Sequence, residues 1–277
     1  MSNTATALYT SITLILGCIA IVYARMKHQY AVDRVIPWKA GWLDLVTIIW
    51  IVSSLLFLTQ GIVSLVVILF HTQNMHIGWM WNTVFASVAT QAALVLALVT
   101  LMYWKLNGLF DGIQNPVAKP SKTSFNAVLF FFASLPIIGI TSQVSYNLLL
   151  YLEAFGIGIS ADRQAIVEVL TASASNSAIA ILSLMAILIA PATEELLFRG
   201  IIYRFLKSLP ISRQYSFLIS SLLFAIMHYN MASFFPLLIL GLLITSSYEK
   251  TGDIRVPIIF HACFNANTII AIGLFVD

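Results

Sequence analysis

The sequence predicts an all-α, polytopic transmembrane helical bundle of about eight spans, and three observations predict it. Of 277 residues 60% are hydrophobic and only 9% are charged, with a mean hydropathy of +0.94, whereas soluble domains carry roughly 25% charged residues. The uncharged runs are long, and crossing a hydrocarbon core of ~30 Å takes about 20 apolar residues in a helix whose backbone groups satisfy one another. The short alternating strands of a membrane barrel are absent.

The charge-free runs place spans at about 5–24, 43–70, 78–104, 124–150, 177–203, 214–230, 233–248 and 256–275. The second and third are long enough to tilt or to extend beyond the bilayer. Within the first, Ile15-Leu16-Gly17-Cys18 is loosely similar to a bacterial lipoprotein cleavage site. No basic region precedes it and the apolar run continues past Cys18, so 5–24 reads as a retained helix. Cys18 and Cys263 both fall in apolar runs and read as small buried hydrophobes rather than a disulfide pair.

The net charge of +3 and pI near 8.9 do not indicate a nucleic-acid partner, because the basic residues sit in short loops rather than one patch. Residues 25–42 hold Arg25, Lys27, Arg34 and Lys39, and residues 105–123 hold Lys105, Lys119 and Lys122. Arg204, Lys207 and Arg213 flank a later turn, Lys250 and Arg255 another, and residues 71–77 hold none. Twelve of the fourteen basic residues thus fall on one side, which the positive-inside rule assigns to the cytoplasm, with both termini outside. Of the rest, Arg163 lies in the polar 153–175 segment on the opposite side, which reads as a surface helix and linker. No internal repeat or soluble boundary is visible. The chain reads as one membrane domain, 1–176 giving the N-terminal helices and outer-face segment and 177–277 the core helices.

The remaining basic residue, Arg199, stands beside Glu194 and Glu195 inside an apolar run, Ala190-Pro191-Ala192-Thr193-Glu194-Glu195-Leu196-Leu197-Phe198-Arg199-Gly200. Each ionisable group in a membrane helix costs at least ~2.5–3.5 kcal/mol on insertion scales, so functional placement is the default explanation. The alternative is a helix end at the interface, since Arg204 and Lys207 follow. Helical spacing puts Glu195 and Arg199 at i,i+4, where they can pair, and turns Glu194 about 100° away. His228 closes the next apolar run, and His261 and Asn265 share one face of the last span. Singly, His228 reads as an interfacial histidine and Asn265 as an interhelical hydrogen bond. Together, a carboxylate, two imidazoles, a guanidinium and a carboxamide on three of the last four spans look like a site.

These residues resemble a family, the CPBP intramembrane proteases, which include the type II CAAX prenyl endopeptidases and bacterial relatives. Its pattern of Glu-Glu-x-x-x-Arg, Phe-x-x-x-His and His-x-x-x-Asn or Asp is matched by Glu194-Glu195…Arg199, Phe224…His228 and His261…Asn265, with Phe198-Arg199-Gly200, Gly241 and Tyr248-Glu249-Lys250-Thr251-Gly252 as supporting matches. The resemblance covers roughly residues 185–270. It implies an intramembrane endopeptidase of a bacterial cell membrane, acting on membrane-associated peptides or proteins in contact with lipid. It also implies that Glu194 and His228 activate a water, that Glu195 and Arg199 brace the helix or substrate backbone, and that His261 and Asn265 donate to the oxyanion. A competing version makes Glu194, His228 and His261 ligands of a zinc ion, although no His-Glu-x-x-His helix compels a metal. Two further readings stay open: a non-proteolytic scaffold or immunity protein of the same fold, and a proton-coupled transporter using buried Glu and His.

Straight helices at ~1.5 Å per residue would leave His261 within ~10 Å of one face and His228 about twice as deep. Bringing them together requires shifted boundaries or broken helices, and Pro191 and Pro257 are the candidate break points.

Overall fold

The structure, a computed structural model, describes residues 3–26, 34–72, 78–104, 108–114, 119–156 and 175–275, and most of the 153–175 segment lies outside them. Among the described residues eight helices follow in order: α1 Asn3–Met26, α2 Trp42–Thr72, α3 Trp79–Trp104, α4 Pro120–Ala154, α5 Asn176–Ser208, α6 Arg213–Ile226, α7 Met231–Thr251 and α8 Arg255–Phe275. There is no strand among the described residues. The protein is a polytopic helical bundle. Six helices, α2 to α5, α7 and α8, carry stretches long and apolar enough to cross a membrane, and α1 carries the shorter apolar stretch Leu8–Tyr23. At 14 residues, α6 rises ~21 Å and falls short of the ~30 Å core.

Helix α2 is a lipid-facing element, with only 6% of its apolar window buried. Gln60 fastens it to α3 by donating to Thr90 Oγ1 at 2.8 Å, which satisfies two polar groups that lipid cannot. Helix α1 lies on α4 so closely that a Cβ at Gly17 would stand 2.4 Å from Pro136 Cγ and 2.9 Å from Phe132 O. That close approach accounts for the glycine before Cys18. Cys18 itself is exposed rather than buried, because it follows Gly17 by one residue, about 100° around the helix from the contact with α4. Both cysteines are free thiols.

Helix α4 packs on α7 and α8 through Ala127, Phe131, Ile138, Leu240, Ile244, Val256 and Phe260. A second core joins the N-terminal half to α5, with Ile48, Ile51, Leu98 and Leu101 against Ile201 and Phe205.

The connections expected on one side do meet on one face, and a buried arginine gathers them. Arg204, only 2% exposed, donates from Nε to Ile36 O at 2.8 Å, from Nη1 to Leu109 O at 2.7 Å and from Nη2 to Asp111 O at 2.6 Å. Trp38 N donates to Arg204 O at 3.1 Å, and Ile254 N to Ile113 O at 2.9 Å. Lys207 Nζ donates to Val35 O at 2.7 Å and pairs with Glu249, to which Tyr203 also donates at 2.8 Å. As loop cations Arg204 and Lys207 would be solvated; both are instead structural. Irregular loops leave carbonyls over, and a guanidinium with five donors collects several at once.

Candidate active site

The site is built on a helix that is α-helical only in part. Within α5, Met185–Ile189 and Leu196–Tyr203 are π-helical, and the short α segment Ala190–Glu195 between them carries the glutamates. The first π segment explains the role of Pro191. Ala190 N donates five residues back to Met185 O, so the next donor in that ladder is position 191, where proline has no N–H. Ala186 O is left over, and Asn265 Nδ2 on α8 takes it at 2.8 Å. Pro191 is thus a point of local irregularity, as expected, whereas Pro257 is not: it sits in the first turn of α8, where its missing N–H is harmless.

On one side of the 190–195 segment lies a sealed network. Glu195 and Arg199 are both 0% exposed, and Arg199 Nη1 stands 2.9 Å from each carboxylate oxygen, with hydrogen-bond geometry to Oε1. Arg199 Nη2 donates to Gly241 O at 3.0 Å and Nε to Thr245 Oγ1 at 3.4 Å, while the guanidinium lies 4.6 Å over the Phe224 ring. His261 Nδ1 is 2.8 Å from Glu195 Oε1. An ionised carboxylate can only accept, so the ring donates from Nδ1. Four helices are thereby tied through one buried ion pair. Gly241 suits that approach: a Cβ would stand 3.0 Å from Ser221 Cβ, a contact that α6 would have to yield to by a few tenths of an ångström while α7 offers the Gly241 carbonyl to Arg199.

The other side is open. Glu194 and His228 retain 19% and 23% side-chain exposure, and Glu194 Oε2 stands 3.9 Å from His228 Nε2. His228 lies beyond the end of α6 rather than within a span to residue 230; Met227 and His228 form a turn, and Tyr229 follows at a φ of 49°, costly for a ring-bearing residue. Asn230 then caps α7, its Oδ1 accepting from Ser233 N at 2.8 Å. The imidazole folds back so that Nδ1 lies 2.7 Å from Phe224 O. A carbonyl only accepts, so Nδ1 carries the proton and Nε2 of the neutral ring presents its lone pair towards Glu194. That fold-back removes the depth mismatch, because Phe224 holds both imidazoles, 4.7 Å to His228 and 5.7 Å to His261 between ring centroids.

Of the six residues singled out in the sequence, Glu195, Arg199 and His261 share one network and Glu194 faces His228 beside it, while Asn265, one turn from His261 along α8, is engaged on Ala186 O. Sequence reasoning missed Phe224 as the shared ring, Thr245 as a partner of Arg199, and Gln91 on α3, whose Oε1 is 2.8 Å from Thr193 Oγ1. A lone carboxamide in the apolar run 84–101 was the available signal for Gln91. Among the described residues, no three His, Cys, Asp or Glu side chains are grouped so as to hold a metal; in the proposed zinc set, the His261 Nδ1 faces Glu195 instead.

The architecture and the cluster define an integral membrane protein with a polar site inside its helical bundle. Residues 176–267, about one third of the chain, match the family model described as Type II CAAX prenyl endopeptidase Rce1-like, which is the family the pattern of site residues resembles. Comparison with curated proteins and with solved structures returned no match.

Proposed function

We propose that this protein is an intramembrane endopeptidase that hydrolyses peptide bonds of membrane-associated peptides or proteins, using a water held between Glu194 and His228. The observation that carries this reading is the 3.9 Å separation of Glu194 Oε2 and His228 Nε2. It is too long for a direct hydrogen bond and suits one water bonded to both. Glu194 takes the water's proton as its oxygen attacks the scissile carbonyl, and the His228 Nε2 lone pair orients the second hydrogen. The proton then passes to the leaving amine. With Glu195 accepting from His261 Nδ1–H, His261 donates to the oxyanion from Nε2 only as the imidazolium. Asn265 contributes through its second amide hydrogen. Arg199 holds Glu195 and takes no part in proton transfer.

The family description and the open, partly exposed Glu194–His228 pair both support hydrolysis. A substrate peptide at or within the bilayer is supported by the family description and by the apolar helices α5 and α8 that carry the site. The test is purified protein supplied with a fluorogenic membrane-peptide library, wild type beside Glu194→Gln. Cleavage by wild type and its loss in the variant support the reading; no cleavage by wild type under any condition, or full cleavage by Glu194→Gln, overturns it and leaves the scaffold and proton-relay readings. Metal analysis and chelator sensitivity on the same preparation separate the water mechanism from a zinc-dependent one.

A further inference from the structure

The segment that carries Glu194 has little internal means of fixing its own rotation. It is six residues long, lies between two π segments, and contains a proline that removes one backbone donor. π-helical turns are rare in α-helices and frequent at functional sites, and each one relaxes the i→i−4 ladder that sets side-chain angles. The rotation of this segment is therefore set by what its side chains grip.

Successive residues point ~100° apart, so Thr193 and Glu195 flank Glu194 on either side. Glu195 is gripped by Arg199 and His261. Thr193, only 4% exposed, meets Gln91 on α3 at 2.8 Å, and its hydroxyl also lies 3.0 Å from Ile189 O. A hydroxyl has one hydrogen. If it goes to Gln91 Oε1, the carboxamide is the acceptor; if it goes back to Ile189 O, the amide is turned and Gln91 Nε2 donates. Either orientation leaves the same contact in place. Gln91 lies outside the segment that matches the family, on an apolar helix whose nearby polar side chains are the small hydroxyls of Ser87 and Thr90. An amide placed there without a partner costs several kcal/mol in lipid, so its placement against Thr193 is selective.

We infer that Gln91 is a positioning residue: through Thr193 it is the second of two lateral anchors that hold Glu194 facing His228, the first being the Arg199 and His261 grip on Glu195. The inference rests on the hydrolytic reading for its kinetic arm only. The N-terminal half thereby contributes to the site and is more than a membrane scaffold.

The experiment combines Gln91→Leu, Thr193→Val and the double variant, with Thr193→Ser as the conservative control, on full-length purified protein. With a library peptide that wild type cleaves, each single variant lowers kcat about tenfold with KM within twofold. The double variant is no worse than either single one, and Thr193→Ser, which keeps the hydroxyl, retains most of the rate. Unchanged kcat in Gln91→Leu, a rise in KM with kcat intact, or additive losses in the double variant overturn the inference. An arm independent of cleavage uses an apolar carbodiimide that labels membrane carboxyls, read by peptide mass spectrometry. Gln91→Leu changes the labelling rate of Glu194 at least threefold, and Glu195 stays unlabelled. Labelling of Glu194 at the wild-type rate in Gln91→Leu refutes the anchor whether or not the protein cleaves anything, whereas absence of cleavage with altered labelling refutes only the hydrolytic reading.

Discussion

Two consecutive glutamates on α5 inhabit opposite environments. Glu195 is sealed, paired with Arg199 and bonded to His261, while Glu194 keeps partial exposure and faces His228 across a gap. The same residue type at adjacent positions thus meets two environments, because one helical step of ~100° moves a side chain from the packed interior to a partly exposed position. The sealed side holds helices together; the open side is free to hold a reactant. That division makes separable predictions, since damage to one side reads out in stability and damage to the other in rate.

The largest effect belongs to the open side. Glu194→Gln is nearly isosteric and removes only the proton acceptor, so it lowers kcat by about 10²–10⁴-fold, the usual contribution of a general base. Thermal unfolding stays near that of wild type because the side chain is bonded to no neighbouring helix. A midpoint that fell with the rate would break the comparison. Next comes the sealed side: Arg199→Met or Glu195→Gln leaves a buried partner uncompensated, and breaking such a pair costs about 3–5 kcal/mol. Denaturant unfolding in detergent measures it. Arg199→Lys does not restore the wild-type value, because one ammonium cannot reach Glu195, Gly241 O and Thr245 together. Smaller again is Gly241→Ala. Its Cβ meets Ser221 at 3.0 Å, and overpacking of this kind costs typically about 1–3 kcal/mol; a double variant with Ser221→Gly recovers part of the loss if the clash is the cause.

The sequence made this division legible to different degrees. The i,i+4 spacing of Glu195 and Arg199 and the single step to Glu194 are consequences of helix period alone, and the pairing expected from them is present. The convergence of the basic loops on one face also followed from charge alternation along the chain. The partners of Arg204 and Lys207 were not legible for a physical reason: at a helix end a cation has the same sequence context whether it meets water or unpaired loop carbonyls, and only the fold decides. Ile113, Ile36 and Leu109 supply those carbonyls, or accept from neighbouring N–H groups, through main-chain atoms that carry no sequence signature. The fold-back of His228 was equally hidden, because it depends on a turn closed by Tyr229 with a positive φ, which residue identity disfavours. Gln91 was visible as an isolated amide, but its partner was not, since nothing in a single sequence registers α3 against α5.

The smallest effect probes the boundary between the two sides, at the π segment below the glutamates. If Asn265 is there to satisfy the carbonyl that Pro191 leaves over, its cost on removal depends on that proline. Asn265→Leu strands Ala186 O, and an unsatisfied buried carbonyl costs about 1–3 kcal/mol. Pro191→Ala supplies an N–H at position 191, which continues the i→i−5 ladder begun by Ala190 on Met185 O and reaches the same carbonyl. In the Pro191→Ala background, Asn265→Leu therefore loses most of its effect on unfolding, and the two substitutions are non-additive by about 1 kcal/mol or more. If the losses add, Asn265 is not answering Pro191.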